Sequence, residues 1–338
     1  MSPKKILVIR LSSIGDILLT TPFIRQIHFK FPKANIDFVV KKEFEDLLIH
    51  NPYLNKVHTF DSSSESALKN LKNCIKKEKY DYIFDLHNNF RSLLLRIGLS
   101  VSYTGVIKKD KIRQLILLYF KINYYKMPKP VSQRYLDTGL KVGIKDDYKG
   151  LEIYWSEKET RSVETILYRL RFAKNEKFIS IAPGAGFFTK RWPITYFSKL
   201  IKQIHTQLKV KIVILGGVGD KEMASELSHN PAVHDLSGQV SLLESAVILS
   251  QSAALVTNDT GLMHLATAVK KPVIAIFGSS VIEWGFVPYR SPHVLIEEKG
   301  LSCRPCSHIG RASCPKKHFK CMRNISPDKV FAALNSML

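Results

Sequence analysis

Residues 252–280 read SAALVTNDTGLMHLATAVKKPVIAIFGSS. An apolar run, SAALVT (252–257), meets Asn-Asp-Thr-Gly, a helical pattern follows, and PVIAIFG (272–278) is a second apolar run. Strand, polar junction, helix and strand form the repeating unit of a parallel sheet wound with helices. Such a sheet binds its ligands at the carboxyl ends of its strands, where a helix start offers unpaired N–H groups to an anion. Asp259 and Thr260 can cap that helix, and the N–H groups of Thr260, Gly261 and Leu262 would face a bound phosphate. Gly261 leaves the approach open. His264, one turn in, is either a core histidine or a group standing behind the ligand contacts.

The same alternation runs outward in both directions. KKILVIR (4–10), NIDFVV (35–40), KVHTF (56–60) and DYIFDL (81–86) read as strands, with helical segments at 16–31, 43–49 and 65–79. A second series comprises FISIAPG (178–184), VKIVILGG (210–217), AALVTND (253–259) and PVIAIFG. Between the series, WSEKETRSVETILYRLRFAKNEK (155–177) reads as a polar, helix-forming connection. The expected architecture is α/β: two Rossmann-like doubly wound domains, 1–165 and 175–325, facing a central cleft, with SPDKVFAALNSML (326–338) as a terminal helix.

A length of 338 residues suits two ordinary domains. The apolar fraction of 45% and charged fraction of 24% are those of a globular protein, whereas the net charge of +22 is not ordinary. Residues 1–150 carry 27 basic and 14 acidic side chains, and Lys76 to Lys129 alone carries twelve against four. A solvated face or a surface meeting something anionic both account for that run. No stretch has the roughly 18–20 apolar residues of a membrane span, and the N-terminus lacks the pattern of a signal peptide. A cytoplasmic protein is expected, with its five cysteines as thiols or metal ligands.

In RLSSIGDILLT (10–20) a strand ends, Ser12-Ser13-Ile14-Gly15 turns, and Asp16 enters a helix. A dinucleotide fingerprint needs three glycines here and only Gly15 is present, which argues against an NAD or FAD enzyme. Asp16 is either a helix N-cap or a carboxylate projecting into the ligand crevice. In GAGFFTKRWP (184–193), Gly184 opens a loop after a strand, Lys190 can reach an anion held by it, and Pro193 suits a first helical turn. In GGVGDKE (216–222), Asp220 or Glu222 can hold ribose hydroxyls.

With RLSSIGDILLTTP, DLHNNFRS (85–92), PGAGFFTKRWP and NDTGLMHLATAVKKPVIAIFG in this order, the chain resembles glycosyltransferase family 9, the ADP-heptose:lipopolysaccharide heptosyltransferases. The resemblance implies a GT-B fold and an inverting transfer from a nucleotide sugar without a catalytic metal or other cofactor. It implies Asp16 as the base, Lys190 on the donor diphosphate, and Asp259, Thr260 and Gly261 on the diphosphate and heptose side. By the same resemblance Asp220 matches the ribose-binding position; Gly184 and His264, from their places in the two loops, are further donor-site candidates. The acceptor implied is an anionic lipid-linked core oligosaccharide on the inner membrane leaflet, with Ser13, His87, Asn88, Asn89 and Arg91 as contact candidates. KIRQLILLYFKINYYKM (111–127) suits an interfacial helix, or else an amphipathic helix packed on the sheet.

LSCRPCSHIGRASCPKKHFKCM (301–322) sets Cys303, Cys306, Cys314 and Cys321 at the spacing C-x2-C-x7-C-x6-C, a candidate structural zinc site with buried thiols as the alternative. Cys74 is expected to pack. Two readings stand beside heptosyl transfer: a GT-B enzyme using another nucleotide sugar, and a basic nucleic-acid-binding protein with a zinc module. Against the second, basic residues are dispersed over an α/β framework without a nucleic-acid-binding signature, so no nucleic-acid partner is expected.

Overall fold

The computed structural model describes residues 2–64 and 66–338; Met1 and Glu65, the latter the first residue of the expected helix 65–79, lie outside them. In chain order the first half comprises β1 (Lys5–Ile9), α1 (Ile14–Leu18), α2 (Thr21–Lys30), β2 (Asn35–Lys41), β3 (Lys56–Phe60), α3 (Ala67–Glu78), β4 (Tyr82–Asp85), α4 (Phe90–Arg96), β5 (Tyr103–Val106), α5 (Lys111–Phe120) and α6 (Val131–Asp137). The second half comprises α7 (Glu157–Arg169), β6 (Phe178–Ala182), α8 (Ile194–Gln203), β7 (Lys211–Ile214), α9 (Lys221–Leu227), β8 (Val233–Asp235), α10 (Leu242–Gln251), β9 (Ala254–Asn258), α11 (Gly261–Ala268), β10 (Val273–Phe277), β11 (His293–Glu297), α12 (Lys320–Arg323) and α13 (Pro327–Asn335). The segment expected as a helix at 43–49 is a 3-10 run over Lys42–Leu47.

Two sheets form, and every pairing in them is parallel. The first has the order β3-β2-β1-β4-β5 and the second β11-β10-β9-β6-β7-β8. Numbered within its own series, the second is the full 3-2-1-4-5-6 order of a dinucleotide-type fold, and the first is that order less its last strand. β6, β9 and β10 are buried at every position, as central strands covered by helices on both faces require. Strand order reverses between β1 and β4 in one sheet and between β6 and β9 in the other, where Ile9 pairs with Asp85 and Ala182 with Thr257. Those two crevices are the places a ligand can enter such a sheet from its carboxyl edge.

The chain divides into two units, Met1–Lys109 with Lys129–Tyr154, and Asp110–Pro128 with Trp155–Leu338. This differs from the expected bounds at two places. α7 lies wholly in the second unit, because Val163 and Leu167 are buried and Ser162 Oγ donates to Glu244 Oε1 of α10 at 2.6 Å. Residues 110–128 also count with the second unit, where Leu117 of α5 packs on Val281 and Trp284. The last segment forms α13 as expected, its first turn capped by Ser326.

The first unit closes on a buried cation. Arg25 of α2 is 2% exposed; its Nε and Nη2 each meet an Asp147 carboxylate oxygen at 2.7 Å, and Nη2 also donates to Gly150 O at 3.1 Å. Glu152 completes the cage. Burial works against the charge of Arg25, yet its carboxylate partners hold its pKa above the ordinary value. Removing the guanidinium takes away the cation that Asp147 and Glu152 share. Arg25→Ala is expected to lower unfolding free energy by about 3–5 kcal/mol, the cost of breaking a buried pair; urea titration followed by fluorescence measures it, and a loss below about 1 kcal/mol would mean the cage is slack.

Candidate active site

At the switch point of the first sheet, β1 ends at Ile9 and passes to Arg10, which is 9% exposed. Its Nη1 donates to Leu86 O at 2.8 Å and its Nε to Ser12 O at 2.9 Å, tying the ends of β1 and β4 together. Its Nη2 stands 2.6 Å from Asp16 Oδ1, which also accepts the Tyr135 hydroxyl at 3.2 Å. Burial and the Asp16 charge push Tyr135 upward despite Arg10, so it stays a phenol and a donor. The N-cap of α1 is Ser13, not Asp16. Asp16 is the third helical residue, and its Oδ2 receives the Ser13 hydroxyl at 3.2 Å and the Ser13 N–H at 3.5 Å. A carboxylate that reaches back in this way supports the turn and still stands at the carboxyl end of the strand.

The stretch DLHNNFRS builds the neighbouring corner. Asp85, fully buried, accepts the N–H groups of His87 and Asn88 at 3.0 and 2.7 Å through Oδ1. Its Oδ2 takes the Ser92 hydroxyl at 2.9 Å and Arg96 Nε at 3.1 Å. Asn89 is the N-cap of α4 and accepts the Ser92 N–H at 2.9 Å. Asn88 donates from its side chain to Ile107 O at 2.9 Å. Asn89 and Asn88 therefore hold backbone, while Arg91 is exposed on α4 and it is Arg96 that pairs with Asp85. His87 Nδ1 accepts the Leu11 N–H at 3.3 Å, which leaves the ring proton on Nε2.

In the second unit the corresponding crevice holds Lys190, Asp259 and Ser280. Lys190 ends a 3-10 turn over Phe188–Lys190, and its Nζ meets Asp259 Oδ2 at 2.6 Å. The Ser280 hydroxyl donates to the same oxygen at 2.7 Å. Asn258, fully buried, accepts the Trp192 N–H at 3.1 Å and donates to Pro183 O at 2.7 Å, so it joins the loop after β6 to the end of β9. Thr260 is the N-cap residue of α11 but supplies no side-chain cap; its hydroxyl lies 3.2 Å from that of Thr257. Asp259 does not cap the helix either, being engaged with Lys190 and Ser280. Gly261 opens α11, and His264 is 3% exposed inside it.

Gly184 has a spatial task. A Cβ there would lie 2.1 Å from Asp220 Oδ1, and one at Gly216 2.9 Å from Asp220 Oδ2. The two glycines let Asp220 lie across the ends of β6 and β7, where the Gly217 N–H fixes its Oδ2 at 2.9 Å. Arg304 binds the loop after β10 from behind, donating to Gly278 O at 2.6 Å and Ser280 O at 2.8 Å while pairing with Glu297 at 2.6 Å.

The sequence pattern does not single out Arg10, Tyr135, Asn258, Ser280 or Arg304. Arg10 and Asn258 flank the residues it singled out, at strand ends. Tyr135 and Arg304 lie far along the chain from their partners, and no spacing announces them. Cys74 corrects an expectation: it is exposed on α3 rather than packed, because Leu71 and Ile75 take the buried face.

Two Rossmann-like units, each with a polar cluster at its switch point, define the GT-B class of transferase folds. A sequence model described as glycosyltransferase family 9 (heptosyltransferase) matches residues 68–316. The chain belongs to this family and is a glycosyltransferase. Lipopolysaccharide heptosyltransferase 2 of Escherichia coli K12 is 24% identical, over 99% of this chain and 98% of its own length. Among solved structures, a family 9 glycosyltransferase of Veillonella parvula superposes with a TM-score of 0.84 at 22% identity, covering 99% of this chain and 97% of that one. The E. coli heptosyltransferase WaaC, solved with ADP, gives 0.70 at 16% identity, covering 99% of this chain and all of its own.

His87 generates a pH prediction. Burial first, then the charges of Arg10 and Lys109, push its pKa down to about 3. An unfolded chain takes up a proton near pH 6.5 that the folded ring refuses, so this contribution is complete above that pH and is lost as pH falls toward 3. His87→Asn keeps an acceptor for the Leu11 N–H and removes the titration. Unfolding free energies between pH 7 and 4 are expected to fall less steeply in the variant; parallel slopes would refute the shift.

Proposed function

We propose that the chain moves heptose from ADP-heptose to a lipopolysaccharide core acceptor with inversion at the anomeric carbon. The observation that carries the donor half is the Lys190–Asp259–Ser280 cluster beside the uncapped start of α11. A departing diphosphate gathers negative charge, and an ammonium, a hydroxyl and helix N–H groups are the groups that stabilise it. Asp259, itself an anion, contributes by aiming Lys190 and Ser280. Asp220 is suited to accept the ribose hydroxyls. The names of the relatives supply heptose and the lipopolysaccharide core, and the ADP bound to WaaC supplies the nucleotide.

In the proposed transfer, Asp16 takes the proton of an acceptor hydroxyl as that oxygen bonds to the anomeric carbon and the bond from that carbon to the ADP oxygen breaks. Arg10 and Tyr135 occupy Asp16 Oδ1 and orient the carboxylate. Ser13, His87 and the exposed Arg91 are offered as acceptor contacts, and His87 Nε2–H as a donor to a sugar oxygen. No step calls for a metal ion.

The acceptor is proposed to be met at the inner membrane leaflet. Ile112, Tyr119, Phe120 and Met127 are exposed on and after α5, interleaved with Lys111, Arg113, Lys121 and Lys126, a mixture suited to an anionic lipid surface. No helix among the described residues is long and apolar enough to cross a membrane. Co-sedimentation with phosphatidylglycerol vesicles but not with neutral ones is expected; equal recovery with both would count against this contact.

Calorimetric titration with ADP, UDP and GDP at one salt concentration tests the donor. ADP is expected to bind most tightly, and preference for UDP or GDP would overturn the heptose assignment in favour of another nucleotide sugar. Asp16→Asn is expected to bind ADP normally and to lose about 10²–10⁴ in turnover. Near-native turnover would remove Asp16 from the chemistry.

A further inference from the structure

Within the second unit, an open cavity of about 390 Å³ lies between the last turn of α5 and the loop that joins β11 to α12. That volume falls in the roughly 300–1,000 Å³ range of small-molecule sites. Leu118, Tyr119 and Lys121 form one wall, and Ser302, Arg311 and Lys316 the other; no aspartate or glutamate lines it. The carboxylates that precede the loop, Glu297 and Glu298, are engaged by Arg304 and Asn324. Three cations thus share one concavity without a counter-charge in its wall, which concentrates positive potential there. Cys303, Cys306, Cys314 and Cys321, the candidate zinc ligands, border a smaller neighbouring space, and their side chains do not come together as a metal-holding group among the described residues.

The cations are held with donors to spare. Lys121 Nζ donates to Leu118 O at 2.6 Å and Pro305 O at 2.5 Å, which leaves its third proton for a ligand. Arg311 is anchored by its N–H on Thr189 Oγ1 at 2.8 Å and its Nε on Cys306 O at 2.9 Å. Neither Nη has a protein partner among the described residues, so the guanidinium fork can take two oxygens at once. The Lys316 ammonium and the Tyr119 hydroxyl are exposed and make no bond to protein among the described residues. A carboxylate would occupy the fork alone. A phosphomonoester, with three terminal oxygens and a charge near −2, can also meet both ammonium groups. Leu118 and Tyr119 give the cavity an apolar lip from α5, the helix that also exposes Ile112, Leu115 and Phe120.

We propose that this cavity binds the phosphomonoester head group of a membrane lipid, held by the Arg311 fork and the Lys121 and Lys316 ammonium groups, with the start of the acyl portion against Leu118 and Tyr119. Lys190, Asp259 and Ser280 do not line it, so it is an anion site apart from the donor cluster. A head group seated there fixes the chain on a lipid surface at one point rather than through diffuse charge. The choice of a lipid as the source rests on the membrane reading of α5 above; the phosphate site itself does not.

Calorimetric titration of the full chain with dihexanoyl-phosphatidate, kept below its micelle concentration at physiological salt, is expected to show a saturable site. Inorganic phosphate is expected to bind about tenfold more weakly or worse, for want of the apolar contact; equal affinity for the two would overturn the lipid occupant. Lys316→Gln, which breaks no bond within the protein, and Arg311→Gln are each expected to weaken phosphatidate binding about tenfold. Lys174→Gln, which removes the same charge elsewhere on the second unit, and Lys190→Gln, in the donor crevice, are expected to keep it. Binding lost in Lys190→Gln but kept in the two cavity variants would place the phosphate in the donor crevice and overturn the site. Equal small losses in all four variants would reduce it to diffuse charge and overturn it as well, as would no binding at all. The probe is a monomer in solution, so failure to sediment with phosphatidylglycerol vesicles would strike the membrane reading and leave this measurement standing.

Discussion

The carboxamide of Asn258 is the interaction on which the second unit's site depends. It is fully buried at the end of β9, so its donors and acceptor must be satisfied within the protein, and it spends them on Pro183 O and the Trp192 N–H. Those bonds set the loop after β6 against β9 at the point where strand order reverses. Trp192 anchors the other side of the loop, buried in the core with its indole N–H on Ile325 O at 3.0 Å. With Asn258 and Trp192 fixed, Lys190 and Asp259, neighbours of each in the chain, have little choice but to meet. Arg10 has the same part in the first unit, joining the ends of β1 and β4 while it holds Asp16.

Legibility in the sequence followed burial. β1, β6, β9 and β10 are central strands covered on both faces, and their near-continuous apolar runs announce them. β5, β8 and β11 carry no legible strand pattern, and each is an edge strand of three to five residues. A strand half open to solvent tolerates glycine or polar residues, as in YTGV and VHD, and loses its pattern. The expected helix at 43–49 is instead a 3-10 run over Lys42–Leu47, which composition alone does not distinguish from an α-helix.

For the site, residue type and position at a strand end were enough to single out Asp16, Lys190, Asp259 and Asp220. Their partners were not legible, since contact between Asp16 and Tyr135 spans 119 residues and has no spacing rule. The task of Gly184 was legible only as a loop glycine. Its reason, room for Asp220, is a close approach between two strand ends that only coordinates reveal. The family resemblance supplied roles that composition could not, and the matched family then gave the enzyme class.

The crossing of the chain at residues 110–128 has a consequence for how this molecule can be divided. Its two units are not two consecutive pieces of polypeptide, because the path leaves the first after Lys109, returns at Lys129, and leaves again after Tyr154. A truncated fragment ending at 154 would keep α5 but lose Val281 and Trp284, stranding Leu117 in water. The complementary fragment would keep that apolar seat with nothing to fill it. The smallest heritable unit of this architecture is therefore the whole chain, and a recombination that exchanges one half between relatives must carry the excursion with the half that receives it.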